Sequence, residues 1–173
     1  MIPNHDDVAP MKSQVLGEEL KLRHRWVLWY HRFDDPSWGI KSYRQVFAFD
    51  TVKDFWRMQN SLPTVFVGMF FVMKEGILPM YEDEKNLNGG IWSFRVHRRR
   101  LQDTWNDLLL SLIGSTVYPD AAAVNGVSIN PNTSVVKVWL QKCPEDPSRC
   151  EITDSIPNLL PGKAIFLRTR NGT

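Results

Sequence analysis

Tyr81 stands directly before three acidic residues, Glu82, Asp83 and Glu84, in the stretch ILPMYEDEKNLNGGIW at residues 77–92. An aromatic ring beside a carboxylate can hold a flat, positively charged ligand, because the ring stacks on the ligand's face while the carboxylate accepts hydrogen bonds from its edge. The same residue types are also typical of an acidic surface loop whose tyrosine covers the core. On residue types alone, both interpretations stay open.

A second aromatic that could face a ligand is Trp38, which lies between Ser37 and Gly39 just after the turn-forming residues 34–37. A tryptophan at the tip of a loop can cover a sheet edge or stack on a ligand. The chain holds seven tryptophans, and this residue type serves both as a core filler and as a stacking platform.

Length and composition indicate a soluble globular protein. With 173 residues, 43% hydrophobic and 23% charged, the chain can bury a substantial core. We expect a flexible N-terminal tail over residues 1–20 and a single domain over residues 21–173. A net charge of +2 argues against a broad electrostatic grip on long nucleic acid, although a pocket for one nucleotide remains possible.

Neither a membrane-spanning segment nor a signal peptide is predicted, since the sequence has no apolar run of the required length. Cys143 and Cys150 are too few for a disulfide scaffold or a zinc site, so we expect free thiols. A cytoplasmic location, with a nuclear one as a further possibility, fits this cysteine usage.

The elements that must position these aromatics are mostly strands. Alternating or continuous apolar residues predict strands at 25–33, 43–49, 65–73, 90–97, 124–130, 135–140 and 163–169. Helical spacing predicts helices over residues 50–60, capped by Asp50 or Thr51, and 103–113, ended by Gly114. Because the strands do not alternate with helices, we expect an α+β fold whose antiparallel sheet of seven or eight strands is covered on one face by helices.

Enzymatic signatures are missing from the sequence. It contains no P-loop, dinucleotide-binding glycine pattern, HExxH motif or nucleophile elbow. Glu82, Asp83 and Glu84 could hold Mg²⁺ in a nucleotide hydrolase, but one short acidic cluster supplies neither a second ligand set nor an evident base. We therefore expect a protein that is not an enzyme and that needs no metal or cofactor.

In order and spacing, these segments resemble the eukaryotic translation initiation factor 4E family of mRNA cap-binding proteins. The resemblance extends from about residue 25 to residue 168. It is carried by RWVLWY at 25–30, Trp38, FDTVKDFW at 49–56, GILPMYEDEKNLNGG at 76–90, Trp92, DTWNDLLLSLIG at 103–114 and the VKVW segment ending at Trp139. The family fold is a curved antiparallel sheet with helices on its convex face, in agreement with the predicted elements.

The resemblance implies a ligand, the 7-methylguanosine cap of mRNA. The methylated base, which carries a delocalised positive charge, would stack between Trp38 and Tyr81. Glu82 would accept two hydrogen bonds from the edge of the base, and Trp139 would lie against the N7 methyl group.

The resemblance also implies a partner surface on the convex face. A 4G-type scaffold initiation factor or a 4E-binding protein would dock there through an amphipathic helix. The matching residues are Val52, Trp56, Asp107 and Leu110, although Val52 and Leu110 could equally be core residues.

The sequence departs from the family pattern at several positions. The second stacking position is Tyr81 where the family usually has tryptophan. The basic residues that hold the cap triphosphate fall at Ile91, Asn130 and about Val135, so Arg168 and Arg170, or the run at 98–100, are the substitutes we predict.

A leucine of the partner groove falls at Asn106. This change motivates an alternative function, a cap-binding competitor or translational repressor that lacks productive scaffold binding. Together the departures indicate a divergent paralogue, suited to a hypermethylated cap such as that of trypanosomatid mRNAs.

Overall fold

A computed structural model describes residues 19–62, 67–152 and 156–169. Seven strands form one sheet in the order β2-β1-β3-β5-β6-β4-β7, and every neighbouring pair is antiparallel. The strands are β1 (Lys21–Arg32), β2 (Tyr43–Thr51), β3 (Gly68–Lys74), β4 (Gly90–Arg95), β5 (Val124–Asn130), β6 (Val135–Leu140) and β7 (Ile165–Arg168). The helices are α1 (Val52–Ser61), α2 (Glu84–Leu87) and α3 (Leu101–Ile113).

The predicted fold class, a curved antiparallel sheet with helices on its convex face, is confirmed. Most element boundaries agree with the sequence prediction within a few residues. The strand predicted from residue 65 begins at Gly68, and residues 63–66 lie outside the described part of the chain. The short helix α2 was not predicted. The predicted N-terminal tail falls largely on residues 1–18, which are also outside the described residues.

Alternation along β1 assigns its side chains to two faces. Trp26 and Leu28 are buried in the large core beneath the helices, where Phe55 of α1 and Trp105 of α3 have no solvent exposure. Trp29 points to the opposite face and packs against a smaller cluster. The sheet thus takes most of its hydrophobic stabilisation from the helix-covered face.

The smaller cluster lies on the helix-free face and contains Met69, Phe71, Met73, Ile77, Ile91 and Trp139. No helix of the described residues covers it, and it is bounded by loops at 33–39 and 77–83. A sheet face that is apolar but only partly covered is available for a ligand.

None of the helices in the described ranges is long and apolar enough to cross a membrane.

The junction between β2 and α1 gives a first test. The Thr51 hydroxyl accepts a hydrogen bond of 3.0 Å from the Asp54 amide and so caps α1. Replacing Thr51 with alanine removes this acceptor, and we expect the free energy of unfolding to fall by about 1 kcal/mol. Urea denaturation measures the change. Thr133→Ala, at an exposed position in the β5–β6 turn, is the control and should change stability by less than about 0.5 kcal/mol; equal effects would contradict the capping role.

Candidate functional site

A cavity of about 350 Å³ opens on the helix-free face of the sheet. Its floor comes from β3, β5 and β6, and its walls come from the β1–β2 loop and from the loop that precedes α2. The lining residues are Trp38, Tyr43, Met69, Phe71, Pro79, Met80, Tyr81, Glu82, Ser128, Ile129, Asn130, Lys137 and Trp139. All four residues that the sequence analysis assigned to the cap, Trp38, Tyr81, Glu82 and Trp139, therefore line one cavity.

Trp38 is held from behind by a histidine. The Trp38 indole stacks on the His31 imidazole with a centroid distance of 4.4 Å and an interplanar angle of 7°. His31 is fully buried, and its Nε2 lies 2.8 Å from the Ser37 carbonyl oxygen. Because His31 covers one face of an indole that is 55% exposed, the other face is available to a ligand in the cavity.

His31 is a positioning residue that the sequence analysis did not single out. The signal was present, since His31 follows Trp29 by two residues and therefore lies on the same, helix-free face of β1. The imidazole also contacts the Tyr43 ring edge-on at 4.9 Å. Trp38 is thus packed against an aromatic group formed by His31 near the end of β1 and Tyr43 at the start of β2.

The Tyr81 ring packs against the cavity floor. Its ring stacks on the Trp139 indole with a centroid distance of 5.3 Å and an interplanar angle of 23°. Trp139 is 3% exposed and donates a hydrogen bond of 3.0 Å from its Nε1 to the Ser128 hydroxyl. Trp139 is therefore a fixed floor, whereas Tyr81, at 43% exposure, is the more accessible ring.

Lys137 brings a positive charge into the cavity that the sequence analysis did not predict. Its Nζ donates a hydrogen bond of 3.2 Å to the Tyr81 hydroxyl and lies 5.9 Å from the centre of that ring. In the sheet Lys137 is paired with Ser128 of β5 and Ser93 of β4. Two residues further along β4, the exposed Arg95 lies on the same face of the sheet. Both cations could have been found by tracing the alternation of β4 and β6 from Ile91 and Trp139.

Glu82 supplies the negative charge of the cavity. Its carboxylate is exposed and forms no hydrogen bond or ion pair with any described residue, so it is free to accept hydrogen bonds from a ligand. Burial, together with the nearby Tyr81 and Glu82, raises the pKa of Tyr43 to about 12. The Tyr43 hydroxyl therefore keeps its proton at neutral pH.

Asp83 and Asn86 fix the loop that carries Tyr81 and Glu82. The two oxygens of Asp83 accept hydrogen bonds from the backbone amides of Leu78, at 2.8 Å, and Lys85, at 2.9 Å. The buried Asn86 side chain donates to the carbonyl oxygens of Leu78 and Met80.

These contacts weaken the magnesium hypothesis for Glu82, Asp83 and Glu84, because the Asp83 oxygens are already used in holding the loop. In the described ranges no group of three or more His, Cys, Asp or Glu side chains could hold a metal ion.

The cations that the sequence analysis suggested for phosphate lie elsewhere. Arg168 is at the outer edge of the sheet in β7, where its guanidinium approaches the Cys143 sulfur at 3.7 Å, and it does not line the cavity. Residues 98–100 form a single 3₁₀ turn that leads into α3. Arg170 lies outside the described residues. Cys143 and Cys150 are free thiols, as predicted.

A groove of about 470 Å³ separates α1 from α3 on the opposite face of the protein. Trp56 and Leu110 line it and are 46% and 42% exposed. Of the other residues expected at a partner surface, Val52 and Asp107 are partly exposed but do not line this groove. Asn106 lies in its wall.

The chain thus forms an α+β protein whose antiparallel sheet has an aromatic, charged cavity on one face and two helices on the other. The model of the family "Eukaryotic initiation factor 4E" matches residues 21–166. The chain belongs to this family, as the sequence resemblance predicted.

Three proteins illustrate the relationship. Eukaryotic translation initiation factor 4E of Eremothecium gossypii is 35% identical over 128 residues, which cover 69% of this chain and 60% of that protein. Ascaris suum eIF4E-3 is 29% identical to this chain, and its crystal structures with an m7G cap and with an m2,2,7G cap each give a TM-score of 0.67. The match to the m7G complex covers 74% of this chain and 77% of that chain. Caenorhabditis elegans eIF4E-3, in complex with the 4E-binding protein Mextli and a cap analog, is 29% identical with a TM-score of 0.66, over 72% of this chain and 76% of its own.

The anchoring role of Asn86 can be tested directly. Asn86→Ala leaves the Leu78 and Met80 carbonyl oxygens without their buried donor, and we expect the free energy of unfolding to fall by about 2 kcal/mol. Backbone amides of residues 78–83 should also exchange faster with solvent. Asn88→Ala, two residues away and exposed, is the matched control. Unfolding and exchange that match the wild type in Asn86→Ala would refute the anchoring role.

Proposed function

We propose that this protein binds the 7-methylguanosine cap of mRNA in the cavity on the helix-free face. The observation that carries the proposal is the meeting of Trp38, Tyr81 and an unpaired Glu82 carboxylate in one cavity. The base stacks between Trp38 and Tyr81, while Glu82 accepts hydrogen bonds from its N1 and N2 groups. The cap complexes of the Ascaris suum relative support this assignment.

The chemistry of the methylated base explains why it is selected. Methylation at N7 gives the guanine ring a positive charge, which the faces of electron-rich rings attract. Each stacked aromatic contributes about 1–3 kcal/mol, and each hydrogen bond to a charged group contributes about 1.5–3 kcal/mol. Unmodified guanine is neutral and loses the cation–π attraction, so it binds more weakly.

Tyr81 has to leave the Trp139 indole to form the second stacking surface. In that arrangement Trp139 stays in the floor, where it faces the N7 methyl group. The Tyr81 ring is smaller than an indole, and this difference weakens its stacking relative to tryptophan.

We further propose that Lys137 and Arg95 contact the phosphate chain of the cap. Lys137 lines the cavity, and strand register places Arg95 on the same face of the sheet beyond it. A Lys ammonium is a suitable point charge for phosphate. Arg168, the residue suggested by the sequence, is separated from the cavity by β4 and serves as a comparison below. Arg170 remains a sequence-based prediction.

A hypermethylated cap is a second candidate ligand. The Ascaris suum relative was crystallised with an m2,2,7G cap. Two methyl groups on N2 remove the donors at that atom and leave Glu82 with N1–H alone, so affinity for such a cap depends less on Glu82. The trypanosomatid origin stays a prediction.

On the other face, we propose that the groove between α1 and α3 docks an amphipathic helix of a scaffold initiation factor or of a 4E-binding protein. The exposed Trp56 and Leu110 provide its apolar contacts, flanked by Val52 and Asp107, and the Mextli complex of the Caenorhabditis elegans relative supports this role. The protein then acts in the cytoplasm by binding rather than catalysis and recruits capped mRNA for translation initiation. The polar Asn106 favours the alternative, a competitor or repressor without productive scaffold binding.

Calorimetric titration with 7-methyl-GTP and with GTP tests the cap assignment. We expect micromolar or tighter binding of 7-methyl-GTP, near −8 kcal/mol, and much weaker binding of GTP. Trp38→Ala and Glu82→Gln should each weaken 7-methyl-GTP binding by about tenfold or more, because each removes one of the interactions given above. Trp56→Ala, an exposed tryptophan on the opposite face, is the control and should bind as the wild type does. Equal affinities for the two nucleotides would refute cap recognition.

A comparison of 7-methyl-GMP with 7-methyl-GTP tests the phosphate contacts. We expect the wild type to prefer the triphosphate, and Lys137→Gln to reduce that preference by about fivefold, because a charge-assisted hydrogen bond is lost. Arg168→Gln should leave the preference unchanged. If Arg168→Gln reduces it and Lys137→Gln does not, the phosphate chain runs toward β7 as the sequence suggested.

A further inference from the structure

Three amide side chains form a polar cluster in the wall of the groove between α1 and α3. The Asn106 Oδ1 atom accepts hydrogen bonds from Gln59 Nε2 at 2.6 Å and from Gln102 Nε2 at 3.0 Å. Gln59 lies on α1 and the other two lie on α3, so the cluster links the two helices. We call Gln59, Gln102 and Asn106 the amide triad.

The amide triad is incompletely satisfied. The Oε1 atoms of Gln59 and Gln102 are buried and have no hydrogen-bond partner among the described residues. The Asn106 Nδ2 group donates to no described residue either, and Asn106 is partly exposed to solvent. The wall of this groove therefore combines one accessible donor group with two acceptors that lack donors.

An entirely apolar partner helix suits this groove poorly. The helix would cover the triad and remove water from Asn106 Nδ2 without replacing its hydrogen bonds, which is unfavourable for a polar group. The apolar rim of Trp56 and Leu110 would still favour such a helix, so the triad affects which helix binds rather than whether one binds.

We propose that the amide triad selects a partner helix that places one uncharged hydrogen-bonding side chain, a carboxamide or a hydroxyl, over Asn106 and apolar side chains on Trp56 and Leu110. A carboxamide or hydroxyl can accept from Asn106 Nδ2 and, after a small shift of the glutamine side chains, donate to one of their free oxygens. This inference rests on the proposed docking of an amphipathic helix in the groove and adds the chemistry of its central contact.

A display library provides the test. Amphipathic helices of 18 residues, with the four groove-facing positions varied among Leu, Ile, Met, Phe, Tyr, Gln, Asn, Ser and Thr, are selected in parallel on the full wild-type chain and on Asn106→Leu. We expect one position of the wild-type winners to become Gln, Asn, Ser or Thr, and the same position of the Asn106→Leu winners to become aliphatic. A winning peptide and its Leu counterpart should differ about tenfold in affinity for the wild type, with the order reversed for the variant.

A second variant protects the test against misfolding, since Asn106→Leu leaves the two glutamine amides without their acceptor. Gln59→Met, Gln102→Met and Asn106→Leu together replace the whole triad by apolar side chains of similar shape, which removes the unsatisfied groups. We expect this triple variant to prefer the same aliphatic peptides as Asn106→Leu. A triple variant that keeps the polar preference would overturn the proposal.

The outcomes separate this inference from the docking proposal itself. Peptides whose binding is abolished by Trp56→Ala, but which show no polar preference, retain the docking site and refute the role of the triad. Peptides that bind equally well to Trp56→Ala, or no selectable peptide at all, refute the docking site. Sedimentation equilibrium in which the wild type self-associates and Trp56→Ala stays monomeric would reveal a second copy of the chain as the occupant and overturn the proposal.

Discussion

One buried amide side chain, that of Asn86, is the constraint on which the cavity depends. It holds the backbone at Leu78 and Met80, and its own Oδ1 accepts a hydrogen bond of 2.9 Å from Asn125 of β5. The loop before α2 has no repeating backbone hydrogen bonds of its own, so its shape comes from such side-chain contacts. Tyr81 and Glu82 can be presented to a ligand because the residues on either side of them are tied to the sheet.

The two faces of the sheet have different roles. The helix-covered face contains the large core, including fully buried Phe55, Trp92 and Trp105. That core stabilises the sheet without help from the opposite face, where the aromatic residues can remain partly exposed. Trp139 contributes both to stability and to the cavity, because it is buried as a core residue and also forms the cavity floor.

Strand and helix patterns in the sequence were enough to predict the fold class. Alternation of apolar and polar residues along a strand indicates which side chains are buried. The stretch from Tyr81 to Glu84 includes two residues that line the cavity, Tyr81 and Glu82. Lys137 was not predicted, because the family resemblance directs the phosphate contacts to Ile91, Asn130 and Val135, whereas the register of β6 brings Lys137 to the cavity. Asn86 and His31 were missed for a different reason: their roles depend on contacts between distant segments, which leave no periodic signal in one sequence.

In the proposed mode of cap binding, the contact between Tyr81 and Lys137 couples recognition of the base to recognition of the phosphates. The Tyr81 ring lies on Trp139, and its hydroxyl accepts a hydrogen bond from the Lys137 ammonium. Moving the ring to stack on a base also releases the ammonium for an anion. A ligand with both a cationic base and a phosphate chain replaces both the Tyr81–Trp139 contact and the Lys137–Tyr81 hydrogen bond. A ligand with only one of these groups replaces only one of the two contacts. The binding free energy of the whole nucleotide is therefore expected to exceed the sum of the binding free energies of its base and its phosphate chain.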